Sequence, residues 1–463
     1  MQKAELILAI LEDKSNKNPN YKFQRIYRYL FNIDFYLKAY SKMYSRGQNM
    51  RDTVIAKKVH RFSIEDIHKV IEKLKDESYC PKPLEKLDEQ DKKYLQITNL
   101  YDDLIQQIIV EILQSIYGVN FSVNSHGFVS NKNCYTALCQ IKTTCNGANW
   151  VIKGSVESYF YNINYDFVMK LLSEKISDGR FINLINKFLM AGYMNKKRAC
   201  DTWSGIPQRE SLANMIINIY LDKFDRYMDK KFGQAKYIRY LDNFIIFIFE
   251  TKDLAEYIIK NINVFLKEKL KIETTEKEIF MINLDKQRVN FLGYEIAKSK
   301  GNFKKNKSFK FKEKKDKETL QLLIPAAVIR ERIRPFILSG KPIHNNSRIN
   351  LSVFEIISLY NREIVELYNY YCLATDVNVK IRKFKFYHYL SLIKTLARKE
   401  QISVKQVINK YGIESKGENR NTLKKTIGIK YATKSGIESI IYFNEPLKKK
   451  NEPLINVNDI IWK

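Results

Sequence analysis

The chain has 463 residues, 45% of them hydrophobic, with 80 Lys and Arg against 51 Asp and Glu for a formal charge of +29. That apolar share excludes a disordered chain, and no apolar run approaches the roughly 20 residues of a membrane span. The positive excess self-repels in a compact state and selects a polyanionic partner. The 30 Tyr and 26 Phe interleaved with it suit RNA, where rings stack on unpaired bases beside neutralised phosphates. The same richness in Lys, Asn, Ile, Tyr and Phe follows from AT-biased coding, which leaves the binding role standing and points to a reduced genome such as an organelle's. The N-terminal residues carry acids and lack an Arg/Ser-rich amphipathic pattern, so no targeting peptide is expected.

In chain order, residues 21–45 read as basic aromatic helices. Ser63 caps a helix whose Ile67, Val70, Ile71 and Leu74 recur at helical spacing, ended by Pro81 and Pro83. A second helix spans about 102–117, with Ile105, Ile108, Ile109, Ile112, Leu113 and Ile116 on a broad apolar face. Residues 149–165 read as a strand leaving into a turn, followed by a helix carrying Phe167, Val168, Leu171 and Leu172. Helices cover about 177–192 and 211–230. Tyr237–Ile248 is a hairpin lifting Leu241-Asp242-Asn243 out of two apolar runs, and after a helix a strand runs over 289–296. From Lys298 to Lys317 ten lysines face two acids, a solvated linker or arm. Beyond it Phe354, Ile357, Asn361, Ile364, Tyr368 and Tyr371 share one helical face, and Ser391–Tyr411 is a helical pair. The expected domains are a basic helical region at 1–150, a sheet domain at 151–297, a linker at 298–320, a helical domain at 321–413 and a basic extension at 414–463. The fold class is α+β. Cysteines 80, 134, 139, 145, 200 and 372 contain no C-x-x-C pair. Cys134, Cys139 and Cys145, even with His126, match no zinc spacing, so reduced structural thiols are expected.

The order of motifs resembles the maturase/reverse transcriptases encoded within group II introns, over roughly residues 20–415. Leu100–Gln107 and Ile112–Tyr117 look like the family's D-x-x-x-Q stretch and the helix after it. Ser125-His-Gly-Phe-Val129 looks like S-x-G-F-R, and Lys187–Met194 like L-x-A-G-Y. Gly205–Leu221 aligns without a gap on the G-T-P-Q-G-G segment, Tyr237–Phe247 on the Y-A-D-D hairpin, and Phe291-Leu-Gly-Tyr294 on F-L-G-Y. Leu359-Tyr-Asn361, Tyr370-Tyr371, Ala374, Lys394–Lys399 and Val407–Gly412 resemble the family's thumb, its domain X. The resemblance implies a right-hand-like fingers and palm, an α-helical thumb that binds intron RNA, and a basic tail. Read as residues alone, Tyr370, Tyr371 and Leu396 are equally core positions of a helical bundle.

The pattern fails where the chemistry should be. Two-metal polymerisation needs several carboxylates converging on two divalent ions. The family draws two acids from its hairpin turn and one from an earlier strand. Here the strand reads Ser155-Val-Glu-Ser-Tyr-Phe160 and the turn offers Asp242 and then Asn243, so one acid of three remains. Glu157 shares the side of Ser155 but sits two residues, about 6–7 Å, further along. Arg209-Glu210 replaces Gly-Gly, Val129 replaces Arg, and Lys93–Thr98 keeps one cation of the R-P-L-G-I-P segment. Phe160 holds the position that excludes ribose in active relatives.

The leading expectation is therefore a maturase-like protein without an active polymerase or cofactor. It would bind intron RNA in a precursor transcript and assist splicing of group II or III-type introns, with no membrane or DNA-endonuclease role, since 414–463 holds no Cys or His. Lys22, Arg25, Arg28 and Lys38, the arm's Lys304, Lys305, Lys307, Lys310 and Lys312, and the thumb's Lys394, Arg398 and Lys399 are the candidate phosphate contacts. Six to ten such contacts would cost roughly a thousandfold in affinity or more between low and moderate salt. The alternatives are an active reverse transcriptase with a modified magnesium site, and a general RNA-binding protein. Loss of the acids and the nuclease resembles plastid maturase-like proteins, particularly of euglenids, so a plastid is expected, with the mitochondrion as runner-up.

Overall fold

The computed structural model describes residues 2–49, 63–82, 100–129, 131–156, 164–193, 212–299, 319–416, 423–433 and 436–452. The chain starts with helices α1 (Ala4–Lys17), α2 (Ile33–Asn49), α3 (Ile64–Lys75) and α4 (Leu100–Tyr117), with a 3-10 turn at Tyr27–Phe31 before α2. The apolar face read for α4 is broader than one stripe. Leu104, Ile105, Ile108, Ile109, Ile112, Leu113, Ile116 and Asp102 are fully buried, and Glu111 is buried beside them. A helix buried on nearly all sides is the centre of a layer rather than its surface.

Helix α5 (Cys134–Thr144) follows, opened by a capping box in which Asn133 and Thr136 satisfy each other's backbone N–H groups. Next come β1 (Trp150–Ser155), α6 (Tyr165–Lys175), α7 (Gly179–Phe188) and α8 (Leu212–Lys231). The helix expected over 177–192 loosens into a π turn at Leu189–Tyr193. Strands β2 (Lys236–Tyr240) and β3 (Asn243–Ile248), helix α9 (Lys252–Leu270) and strand β4 (Ile279–Asn283) complete an antiparallel sheet of order β2-β3-β1-β4.

Both faces of this sheet are covered, which explains why β3 is a continuous apolar run rather than an alternating one. Ile152, Tyr237, Phe244, Ile246 and Ile248 pack with α8, α9 and the N-terminal helices. Val151, Ile238, Ile245 and Phe247 pack on the other side with α5 and the C-terminal half of the chain. Gly154 stands opposite Phe244, whose ring would lie 2.0 Å from any Cβ there. The glycine is the space into which that ring fits.

The strand expected over 289–296 is instead a hairpin of β5 (Val289–Phe291) and β6 (Tyr294–Lys298). Leu292 and Gly293 both adopt positive φ, 47° and 71°, the geometry of a tight two-residue reversal. Strand β7 (Leu320–Leu323) pairs with β6, and Ser299 N donates to Thr319 O at 2.8 Å. The residues on either side of the Lys-rich stretch are thus hydrogen-bonded neighbours.

The thumb comprises α10 (Ala326–Ile333), the short pair β8 (Ile337–Leu338) and β9 (Lys341–Pro342), then α11 (Val353–Tyr371), α12 (Val377–Glu400) and α13 (Val404–Tyr411). Tyr370 and Tyr371 are buried at its junction with the palm. Their hydroxyls donate to Leu292 O (2.9 Å) and Gly293 O (3.1 Å), while the Tyr294 hydroxyl donates back to Tyr370 O. The F-L-G-Y turn and the Y-Y pair, 78 residues apart, are therefore two halves of one joint.

Beyond 413 the chain forms a meander of β10 (Gly412–Lys416), β11 (Leu423–Thr433) and β12 (Gly436–Ile441). Tyr442, Phe443 and Leu447 are buried in the thumb's core. Residues 414–452, read from the sequence as a basic extension, are thus joined to the helical domain. Their apolar residues are too few to show a period, yet Ile427, Tyr442, Phe443 and Leu447 reach the core, while Ile437 stays exposed. Buried His388 links this segment to the helices, with Nδ1 2.9 Å from the Tyr442 hydroxyl and Nε2 2.9 Å from Glu363. Burial holds the imidazole below its usual pKa, against the pull of the Glu363 carboxylate.

Candidate functional site

The hairpin and the first palm strand bring the three acid positions to one end of the sheet. Tyr240 and Asn243 pair across the turn, Ser155 pairs with Asn243, and Val156 N donates to Asp242 O at 3.0 Å. Asn243 Nδ2 lies 3.2 Å from Asp242 Oδ2, and Asp242 is 2% exposed. Ser155, Asp242 and Asn243 thus meet at one end of the sheet. What they offer is a hydroxyl, one carboxylate and an amide. Two divalent ions bring four positive charges, of which one carboxylate offsets one. Among the described residues no three His, Cys, Asp or Glu side chains converge on a metal position. Lys153, on the same strand face as Ser155, adds a cation, and burial lowers its pKa. Glu157, Phe160, Arg209, Glu210 and Lys93–Thr98 lie outside the described residues.

The support beneath this edge is a buried network. Arg239 and Asp225 are both fully buried and paired. All five guanidinium N–H groups are used: Nε and Nη2 on Asp225, Nη1 on Asn218 Oδ1 (2.8 Å) and Leu241 O (2.7 Å), and Nη2 on Ser125 Oγ (2.8 Å). Tyr237 donates to Asp225 Oδ1 at 2.7 Å. Leu241, the first turn residue, has φ 55°, and its carbonyl is held by Arg239. Gly127 gives the turn room, since a Cβ there would sit 2.9 Å from Leu241 N. Ser125 and Gly127 of the S-x-G-F segment are therefore hairpin supports. Sequence reasoning missed Arg239, Asp225 and Asn218. The available signal was an arginine between apolar strand residues, a place where a charge survives only when paired.

His126 serves the same support rather than a metal. Its ring nitrogens face Thr136 Oγ1 (2.8 Å) and Gln140 Oε1 (2.6 Å), and burial pulls its pKa down to about 4. Cys134 and Cys145 are buried free thiols, each pushed up to about 12 by burial.

The candidate phosphate contacts divide into spent and unspent cations. Lys22, Arg25 and Arg28 are exposed, Arg28 lying 5.4 Å from the Tyr29 ring. Lys38 is half-buried and, with Lys42, faces buried Glu111 at 3.7 and 3.8 Å. Lys394 donates to Pro342 O (2.7 Å) and Lys399 to Ile349 O (3.2 Å), so both brace the thumb's loops, whereas Arg398 is exposed. Lys304, Lys305, Lys307, Lys310 and Lys312 lie outside the described residues.

Residues 81–296 match the reverse transcriptase (RNA-dependent DNA polymerase) family model, and residues 319–443 match the type II intron maturase model. The chain is 29% identical to the group II intron-encoded protein LtrA of Lactococcus lactis subsp. cremoris, over 89% of this chain and 80% of that protein. It is 25% identical to the putative COX1/OXI3 intron 2 protein of Saccharomyces cerevisiae, over 87% of this chain and 55% of the relative. It is 22% identical to nuclear intron maturase 3, mitochondrial, of Arabidopsis thaliana, over 63% and 43%.

Proposed function

Because this chain belongs to the family of group II intron-encoded reverse transcriptase–maturases, we propose that it binds folded intron RNA and promotes splicing without copying RNA into DNA. The family relation supports the splicing role in general. The absence of polymerisation, the choice of a group II or III-type intron and the lack of an endonuclease role are our own reading. One observation carries it: Ser155 stands opposite Asn243 at the sheet edge, with Asp242 beside them. The RNA would supply the transesterification chemistry, and the protein would stabilise the fold in which its reacting groups meet. Exposed Lys22, Arg25, Arg28 and Arg398 would screen phosphates, together with the Lys304–Lys312 lysines. We place the protein in an organelle. A relative named as mitochondrial favours that compartment, and the plastid reading rests on composition and on the replaced acids.

Two assays on the full chain test this. Primer extension on an RNA template with magnesium should yield no product, while a precursor transcript carrying the host intron should splice faster at low magnesium when the protein is added. Magnesium-dependent cDNA that disappears in Asp242→Ala would overturn the reading in favour of a working polymerase. Equal affinity for the host intron and an unrelated structured RNA at fixed salt would favour a general RNA-binding protein.

A further inference from the structure

Helix α12 turns one face to solvent with no element of the described fold laid over it. Val379 is 72% exposed and Phe386 58%, and Arg382 and Lys383 are exposed between them. These positions follow one another at i, i+3, i+4 and i+7, so they form a single stripe. With Asn378 and Tyr387 they line an open groove of about 490 Å³. The stripe sets an exposed ring about one helical turn beyond two exposed cations, an arrangement suited to an occupant that takes both ring and charge.

The cations here are unspent. Lys38 faces Glu111, and Lys394 and Lys399 cap carbonyls. Arg382 and Lys383 have no ion pair among the described residues. The opposite face of α12 explains why the helix holds its orientation: Ile381, Phe384 and His388 are buried in the thumb core. The stripe is therefore rigidly presented, with two charges about one helical turn N-terminal to its ring.

We propose that this groove is a stacking site for an unpaired base of the bound RNA. Phe386 provides the platform, and Arg382 and Lys383, four and three residues before it, hold the neighbouring phosphates. The site deepens the RNA-binding function proposed above and rests on it. Charge complementarity selects a nucleic-acid strand as the occupant, and an exposed ring selects unpaired bases over a duplex, whose bases are already stacked.

The test uses the full chain and two probes: an oligoadenylate of about ten nucleotides and a blunt RNA duplex of the same length. Phe386→Ala should weaken oligoadenylate binding about tenfold and leave duplex binding unchanged, as loss of one base–ring stack requires. Arg382→Gln with Lys383→Gln should make the salt dependence of oligoadenylate binding shallower by about 1.4 log units per log unit, the share of two phosphates on a single strand. Both variants are at the surface, and an unchanged melting temperature confirms that they fold. Unchanged oligoadenylate affinity in Phe386→Ala would overturn the site while leaving the splicing function intact. Loss of self-association in that variant with RNA binding unaffected would assign the face to a second copy instead. If the wild-type chain binds neither probe nor the host intron, both readings fall together.

Discussion

The hairpin edge of the palm and the solvent face of α12 are built on opposite terms. At the hairpin the support is complete, with every donor of buried Arg239 occupied and the turn fixed through Leu241 O, while the presented groups are a serine, an aspartate and an asparagine. On α12 the presented groups are an exposed ring and two unpaired cations, and the support is an ordinary apolar helix face. Buried architecture and surface chemistry are thus separable.

The largest expected effect lies in the palm. Arg239→Met leaves Asp225 buried without its partner and should cost about 3–5 kcal/mol by denaturant unfolding. Substituting Arg382 or Lys383 should move stability by less than about 0.5 kcal/mol, as for surface residues generally. A comparable loss at both places would break the contrast.

Acid sharpens it from the thumb's interior. Burial pushes the Glu363 carboxyl up, but hydrogen bonds from His388 and Arg348 and the Arg348 charge outweigh this and hold it at about 2, below its ordinary 4.5. A carboxyl depressed in the folded state stabilises above its unfolded pKa, and that contribution is lost as pH falls from about 4.5 toward 2. The loss should be roughly 3 kcal/mol, at 1.36 kcal/mol per unit. Glu363→Gln should flatten this acid limb in a pH series of unfolding curves, and an unaltered limb would show that other groups carry it.

The palm–thumb joint should respond less. Gly293 has φ 71°, and a Cβ there would lie 2.9 Å from the Tyr370 hydroxyl. Gly293→Ala should therefore cost about 1–3 kcal/mol through strain and a displaced hydrogen bond. The smallest effect concerns the sheet edge. Millimolar magnesium should leave the wild-type melting temperature unchanged within about 1 °C, whereas Ser155→Asp with Asn243→Asp should gain a few degrees on adding the ion, by ligand linkage. A wild-type rise abolished by Asp242→Ala would show a metal site where we read none.

Much of this molecule is local and could be read from the chain. Helical spacing located α3, α4 and α8, and two apolar runs around Asp242 located the hairpin, because periodicity and turn chemistry act within a few residues. The motif order also placed Ser155 and Asn243 at corresponding points, and the register set them opposite each other. Other features depend on partners far along the chain. Tyr370 and Tyr371 are core because the turn at Leu292 and Gly293 arrives beneath them, and Tyr442 joins the thumb through His388. Whether a lysine is free for phosphate depends on what folds against it: Lys38 meets Glu111, Lys394 meets Pro342, and Lys383 meets solvent. Composition determined that the chain carries a large positive charge. Only tertiary packing decided which of those charges stand unpaired, since pairing is a matter of distance in space and falls off within a few ångströms.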